Sequence, residues 1–335
     1  MTTHEPMQEL EAAIDAVSRA AQVTQAVQRD LVTADTLTKK DRSPVTVADF
    51  ASQAVVCAVL ERWFPDDPVV GEEDSHELRE PGNAGLREAV VKQVQRIDPV
   101  QSLADEPQVL AWIDRGHGEG GATGRFWTLD PIDGTKGFLR GKQYAIALAL
   151  IEDGEVVFGA LGCPNLPVPG RIETGLLLVA SRGEGTWMAP LSAEGEFELQ
   201  PVRVSDVADP AAANFCESVE AGHSDQDQSV QIAHKLGITA EPVRMDSQAK
   251  YAAVAGGDAA IYLRLPTRPG YREKIWDHAA GLIVVQEAGG QVTDIAGKPL
   301  EFKHGRQLDA NRGIVATNGR IHDAVLAAVR DVVGE

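Results

Sequence analysis

Asp130-Pro-Ile-Asp133-Gly-Thr135 is the stretch of this chain best equipped for chemistry. Two carboxylates stand three residues apart and a hydroxyl follows. Upstream, Phe126-Trp127-Thr128-Leu129 reads as a buried strand that delivers them. Acids at a strand exit serve a core poorly and a cation well. Hard divalent ions such as Mg²⁺ take oxygen ligands, usually one or two carboxylates plus substrate phosphate. The turn adds backbone N–H groups at Gly134 and Thr135, which suit an anion. The pattern points to metal-assisted phosphoryl chemistry.

Three more acids sit at element ends: Asp49, Glu72 and Asp277. Each has an ordinary alternative, as a helix-capping carboxylate, a solvated loop acid or a first-turn acid stabilised by the macrodipole. Jointly they favour a site, because strand exits and helix starts are where ligand sites form. A second set, His223, Ser247, Lys250 and Arg264, combines basic groups with a hydroxyl, which is what a phosphate needs. Ser247 and Lys250 would share a helix face, and Arg264 follows the apolar run 259–263. No GxxxxGK[ST], GxSxG or HExxH motif is present. Gly116-His-Gly118-Glu-Gly-Gly121 matches GxGxxG formally, but a helix precedes it and a strand follows. It is therefore read as a flexible linker.

The elements that must hold these groups follow from periodicity. Met7, Leu10, Ile14, Val17 and Ala21 predict an amphipathic helix to about Arg29. Ser43-Pro44 is expected to break the chain, and Thr46-Val-Ala-Asp49 to open a helix through Trp63 as a capping box. Val69-Val70-Gly71 is a short strand. Helices are expected near Leu86–Gln95 and Pro107–Asp114. Tyr144–Ile151 with Glu155–Leu161, and Leu176–Ser181 with Gly185–Met188, read as hairpins of a mainly antiparallel sheet. Beyond a polar boundary at Gly195–Asp209, short strands alternate with helices in an α/β pattern.

Composition limits the partners. The 335 residues are 43% hydrophobic, enough for a sizeable core and about two domains. Fifty acids against 31 bases give a net charge of −19, which repels nucleic-acid backbones and anionic membranes. A phosphorylated small molecule would need bound cations and a local basic patch. There is no apolar run of roughly 18 residues and no signal-peptide pattern, so a cytoplasmic protein is expected. Cys57, Cys163 and Cys216 lack CxxC spacing and are read as reduced thiols. Monomer and homodimer are both left open.

The chain resembles the inositol monophosphatase superfamily of metal-dependent, lithium-sensitive phosphatases. Asp49 in Ser-Pro-Val-Thr-Val-Ala-Asp, Gly71-Glu72-Glu73, Asp130-Pro-Ile-Asp-Gly-Thr and Trp276-Asp277-His-Ala-Ala-Gly carry the likeness. A narrower similarity, to the 3′(2′),5′-bisphosphate nucleotidases, rests on Asp130 to Arg140, Gly222-His223-Ser224, Asp246-Ser247-Gln-Ala-Lys250-Tyr251 and Tyr262-Leu-Arg264-Leu-Pro266. The resemblance implies a layered α-β-α-β-α sugar-phosphatase fold. Its N-terminal α+β domain would be 1–205 and its C-terminal α/β domain 206–335, with the site between them. It implies two or three Mg²⁺ ions on Glu72, Asp130, the main-chain carbonyl of Ile132, Asp133 and Asp277, with Asp49 and Thr135 as the activating pair. It implies that Thr135, His223, Ser247, Lys250, Arg264 and Asp277 contact a nucleotide. The expected reaction removes the 3′-phosphate of adenosine 3′,5′-bisphosphate, with 3′-phosphoadenylyl sulfate as a further candidate, in sulfur metabolism. The alternatives are an inositol phosphate or other sugar-phosphate monoesterase, and a non-catalytic metal or nucleotide sensor.

Overall fold

The computed structural model describes residues 6–32, 43–97, 103–191, 198–219, 226–268 and 270–334. Helices α1 (Pro6–Leu31) and α2 (Ser43–Trp63) pack on each other and on one face of a seven-stranded sheet. Its strands run in chain order: β1 (Val69–Gly71), β2 (Arg125–Asp133), β3 (Ala145–Glu152), β4 (Glu155–Pro167), β5 (Thr174–Ser181), β6 (Gly185–Pro190) and β7 (Gln200–Val202). Only the β1–β2 pair is parallel. Helices α3 (His76–Arg79), α4 (Ala84–Gln95) and α5 (Glu106–Asp114) lie between β1 and β2 in the chain, and α6 (Thr135–Leu139) follows β2.

The second sheet has the order β11-β12-β10-β8-β9. Its strands are β8 (Phe215–Glu217), β9 (Val243–Arg244), β10 (Ile261–Arg264), β11 (Gln291–Thr293) and β12 (Ile314–Thr317). Helices α8 (Ala249–Ala255) and α9 (Ala279–Glu287) fill the space between the sheets, while α7 (Gln226–Leu236) and α10 (His322–Val333) pack together on the outer side. The result is the expected α-β-α-β-α layering. Three apolar cores join the layers: one between α1/α2 and the first sheet, one around the helices between the two sheets, and one between the second sheet and α7/α10.

Strand β3 shows how the sequence sets this up. Ile146, Leu148 and Leu150 point into the core beneath α1 and α2, whereas Ala145, Ala147 and Ala149 point toward α9. Small residues let that helix approach closely, and a Cβ on Gly159 of β4 would lie 3.2 Å from the Ala280 Cα. The span Pro44–Trp63 is long and apolar enough to cross a membrane, but 89% of its most apolar 18-residue window is buried inside the fold. It is a core helix, mostly apolar because most of its faces are covered.

Two local expectations are corrected. Pro44 does not break the chain ahead of α2; it sits in the helix's first turn, where its missing N–H costs nothing. Asp49 therefore lies in the second turn and is not a capping residue. The run 116–121 is not a loose linker. Gly116 accepts from the Gly71 amide at 2.9 Å, and the Gly118 amide donates to Val69 at 2.8 Å, so the segment lies along β1 as an added edge. Gln53, Val69 and Glu73 crowd the glycines, leaving no space for a Cβ at 116 or 118.

Candidate active site

Strand β2 carries Asp130 and Asp133 to one end of the first sheet. In a regular strand, residues three apart face opposite sides. Here Asp130 pairs with Ala147 and Asp133 with Ala145, a bulge that adds one residue to β2 and re-aims the second carboxylate. Ser52 of α2, three residues after Asp49, donates to the Pro131 carbonyl at 2.9 Å and holds the bulge. The Ile132 side chain is buried in the outer core, which leaves its carbonyl as the only acceptor it can offer the cleft.

The turn that follows is forced by close approach. Gly134 adopts φ +93°, and a Cβ there would come within 2.8 Å of the Ser247 Cβ. Opposite it, Ser247 sits at φ +68°, a conformation uncommon for any residue but glycine, and its Oγ accepts from the Ala249 amide at 3.1 Å. Ser247 thus lies outside α8, not on it. A turn from the Ser247 carbonyl to the Lys250 amide still puts both at the same cleft wall. Gln248 clamps the pieces together: its amide donates to Asp133 Oδ2 at 2.6 Å, its Nε2 to the Trp276 carbonyl at 2.9 Å, and its Oε1 accepts from Gly281.

A cleft of about 520 Å³ lies between these segments. Glu72, Asp130, Ile132, Asp133, Thr135, Ser247, Lys250, Arg264 and Asp277 all line it, so the structure brings these sequence-predicted residues together. Asp49 is buried just behind, within the charge field of Glu72, Glu73 and Asp130. His223 lies outside the described residues. Thr46, Lys136, Asp246, Gln248, Tyr262 and Tyr271, none of them a site residue expected from the sequence, also line the cleft. Gln248 and Asp246 flank Ser247 in the chain, so proximity to that residue was the available signal.

One end of the cleft is strongly acidic. Burial and the neighbouring Glu72, Asp133, Asp277 and Asp49 push Asp130 well above the usual carboxylate range. Burial, with Glu73 and Glu72, does the same to Asp49. Glu72, at the cleft mouth, is pushed up to about 8 by desolvation and by Asp277, Glu73 and Asp133. Asp277 rises to about 6, chiefly by burial, although Arg264 and His278 oppose the shift. The Oδ1 atoms of Asp49 and Asp130 are buried without a hydrogen-bond partner. Buried, mutually repelling carboxylates with orphaned oxygens are the donor set of a hard divalent cation, whose charge would reverse every one of these shifts. The residues present fit such an ion.

The opposite wall is basic. Lys250 is 4% exposed, its Nζ lies 5.2 Å from the Tyr262 ring centroid, and no carboxylate forms an ion pair with it among the described residues. Burial holds its pKa below the usual lysine range, partly offset by Asp133. Arg264 is anchored instead, with Nε 2.8 Å from Glu273 Oε2 and Nη2 3.7 Å from Asp277 Oδ2. Glu273 also meets His278 Nε2 at 3.2 Å, and His278 Nδ1 meets the Tyr251 hydroxyl at 2.8 Å. Burial opposes ionisation of Glu273, but His278 and Arg264 outweigh it and hold its pKa down to about 2. An ionised Glu273 orients the Arg264 guanidinium, and Tyr251 orients the imidazole. The Tyr251 ring lies against Gly281, where no Cβ would fit.

The model of the inositol monophosphatase family matches residues 5–333. A Schizosaccharomyces pombe protein named 3′(2′),5′-bisphosphate nucleotidase is 47% identical, over 98% of this chain and 96% of its own length. The Arabidopsis thaliana 3′(2′),5′-bisphosphate nucleotidase 1 is 49% identical, over 98% and 97%. Among solved structures, Mycobacterium tuberculosis SuhB aligns with a TM-score of 0.63 at 20% identity, covering 99% of both chains. A Thermotoga maritima IMPase aligns at 0.62 and 22%, covering 97% and 98%. These structural likenesses speak to the fold. The chain belongs to the inositol monophosphatase family.

Proposed function

We propose that the protein is a Mg²⁺-dependent phosphatase that removes the 3′-phosphate of adenosine 3′,5′-bisphosphate to leave AMP, with 3′-phosphoadenylyl sulfate as a second substrate. The observation that carries this reading is the polarity of one cleft. Orphaned carboxylate oxygens on one side of it face a buried ammonium that forms no ion pair among the described residues. A substrate with a single phosphate needs only the first. The names of the nearly full-length relatives support the same substrate class.

Glu72, Asp130, the Ile132 carbonyl, Asp133 and Asp277 would hold two or three Mg²⁺ ions. Bound there, the metal supplies Lewis-acid stabilisation of the transferring phosphoryl group and polarises water. Thr135, exposed on the cleft wall, holds the nucleophilic water by its hydroxyl and passes a proton toward Asp49. Glu73 orients water beside Glu72. Asp49, buried and within the charge field of Glu72 and Asp130, is the carboxylate placed to take that proton. Ser247 and Lys250 receive the 5′-phosphate, Arg264 contacts the nucleotide next to Asp277, and His223 completes the substrate contacts. The cytoplasm is the proposed setting, in keeping with three buried, unpaired cysteines.

The test is phosphate release from adenosine 3′,5′-bisphosphate, 3′-phosphoadenylyl sulfate and an inositol monophosphate, with and without Mg²⁺. Release from the nucleotides that depends on Mg²⁺ is expected. Preferential release from the inositol ester would move the substrate class, and no release from any of them would favour a binding protein.

A further inference from the structure

Glu72 and Asp277 line the same cleft, and Asp277 is the charge that acts most strongly on Glu72, but they come from distant parts of the chain. One residue outside the cleft touches the segments that carry both. Arg306 Nη1 donates to the carbonyls of Gly116 at 3.2 Å and Gly118 at 3.0 Å, and Nη2 to the carbonyl of Gly71, the residue before Glu72. Its guanidinium lies 4.8 Å from the ring centroid of Trp276, the residue before Asp277. Its own carbonyl accepts from the Ile275 amide at 3.2 Å, and Lys274 bridges to Gln307 alongside.

The surroundings are built for this contact. Gln53 is fully buried on α2, one turn beyond Asp49. Its Nε2 donates to the Glu73 and Ile113 carbonyls at 2.6 and 2.8 Å, and its Oε1 accepts from the Glu73 amide at 3.1 Å. A Cβ at Gly71 would lie 2.6 Å from Gln53 Oε1, and one at Gly118 2.5 Å from the Val69 carbonyl. The glycines thus let three carbonyls converge on one planar, five-donor group, a geometry that lysine cannot reproduce.

We propose that Arg306 is a positioning residue for the cation cage, fixing the separation of Glu72 and Asp277 by tying Gly71 to Trp276. The proposal rests on the reading that those acids hold metal. It assigns the 116–118 glycine segment a role as the acceptor face of that tie.

The test uses the full-length protein and Mn²⁺ as a directly countable stand-in for Mg²⁺, with the free ion measured by electron paramagnetic resonance. Arg306→Lys keeps the charge and loses the fork. It is expected to weaken Mn²⁺ binding by about 10- to 100-fold, as loss of a residue that orients a metal ligand does. Half-maximal activity should need correspondingly more Mg²⁺, while the KM for the nucleotide at saturating Mg²⁺ stays within about twofold. In a Glu72→Gln background the same substitution should cost less than about twofold, because the ligand it positions is already impaired. Arg306→Gln, expected to lose affinity likewise, serves if the lysine variant does not fold. Wild-type Mn²⁺ affinity in either folded variant, or an undiminished effect in the Glu72→Gln background, overturns the proposal. Asp130→Asn separates the two readings. If it too binds Mn²⁺ like the wild type, the cage itself has failed; if it alone loses binding, only the role of Arg306 has.

Discussion

Asp130→Asn should separate what the fold needs from what the cation needs. Asp130 is 2% exposed, its Oδ1 has no protein partner, and four other acids raise its pKa. In the metal-free protein this carboxylate is a burden. A like-charge pair about 4 Å apart costs on the order of 4 kcal/mol near a protein surface, and proton uptake relieves part of that. Replacing it with an isosteric amide removes the repulsion, so metal-free Asp130→Asn should melt at or above the wild-type temperature. Added Mg²⁺ should then separate the two proteins by the size of its effect. At about 100 times its Kd, a ligand stabilises by roughly 2.7 kcal/mol. For 335 residues the unfolding entropy is about 0.7 kcal/mol per kelvin, so the wild type should gain about 4 °C. The variant should gain less than about 1 °C, and its kcat/KM should fall at least about 100-fold, or roughly 2.7 kcal/mol. Differential scanning calorimetry with and without Mg²⁺ reads both effects. A variant that keeps the full Mg²⁺ shift, or that is clearly destabilised without metal, would refute the reasoning.

Other perturbations read other parts of the cleft. Asp49→Ala should lower kcat by about 10²–10⁴ with little change in metal-free melting, since its Oδ1 bonds to nothing in the fold; normal turnover would remove it from proton transfer. Lys250→Met should raise the KM for adenosine 3′,5′-bisphosphate by about 10- to 100-fold, the worth of a charge-assisted hydrogen bond, with metal-free stability unchanged or higher because an unpaired buried ammonium is gone. Equal KM changes for a 3′-monophosphate would show that it does not read the second phosphate. The pH dependence has a definite sign. Desolvation and like-charged neighbours raise Glu72 to about 8 and Glu73 to about 7, while burial, partly opposed by Arg264, raises Asp277 to about 6. All three bind protons more tightly folded than unfolded, so their contribution is fully present below about pH 4 and is lost as the pH rises through 6 to 8. Metal-free denaturation curves should show that loss. Apparent Mg²⁺ affinity should rise over the same window, because the ion displaces protons; a flat profile would mean the acids do not take up the ion.

The layered fold was legible because its periodicities are unambiguous. β3 alternates large and small residues, and that pattern alone allots one face to a bulky core and the other to a closely packed helix. The β1–β2 pairing is parallel because a helical excursion joins the two strands, whereas the later hairpins return directly. The acids were legible by type and spacing, but not the bulge between Asp130 and Asp133 that aims them together, which depends on Ser52 of a distant helix. Gln248 escaped notice because its three bonds all reach segments far away in the chain. The glycines at 116 and 118 were misread for a related reason. Glycine marks a flexible linker and a crowded contact equally well, and only the position of Gln53 and Val69 tells them apart.

The most direct test of the central claim is anomalous diffraction from a crystal soaked in Mn²⁺. The account predicts anomalous peaks within coordination distance of Glu72, Asp130, Asp133 and Asp277 and of the Ile132 carbonyl. Mn²⁺ bound elsewhere, with those carboxylates unengaged, would contradict it.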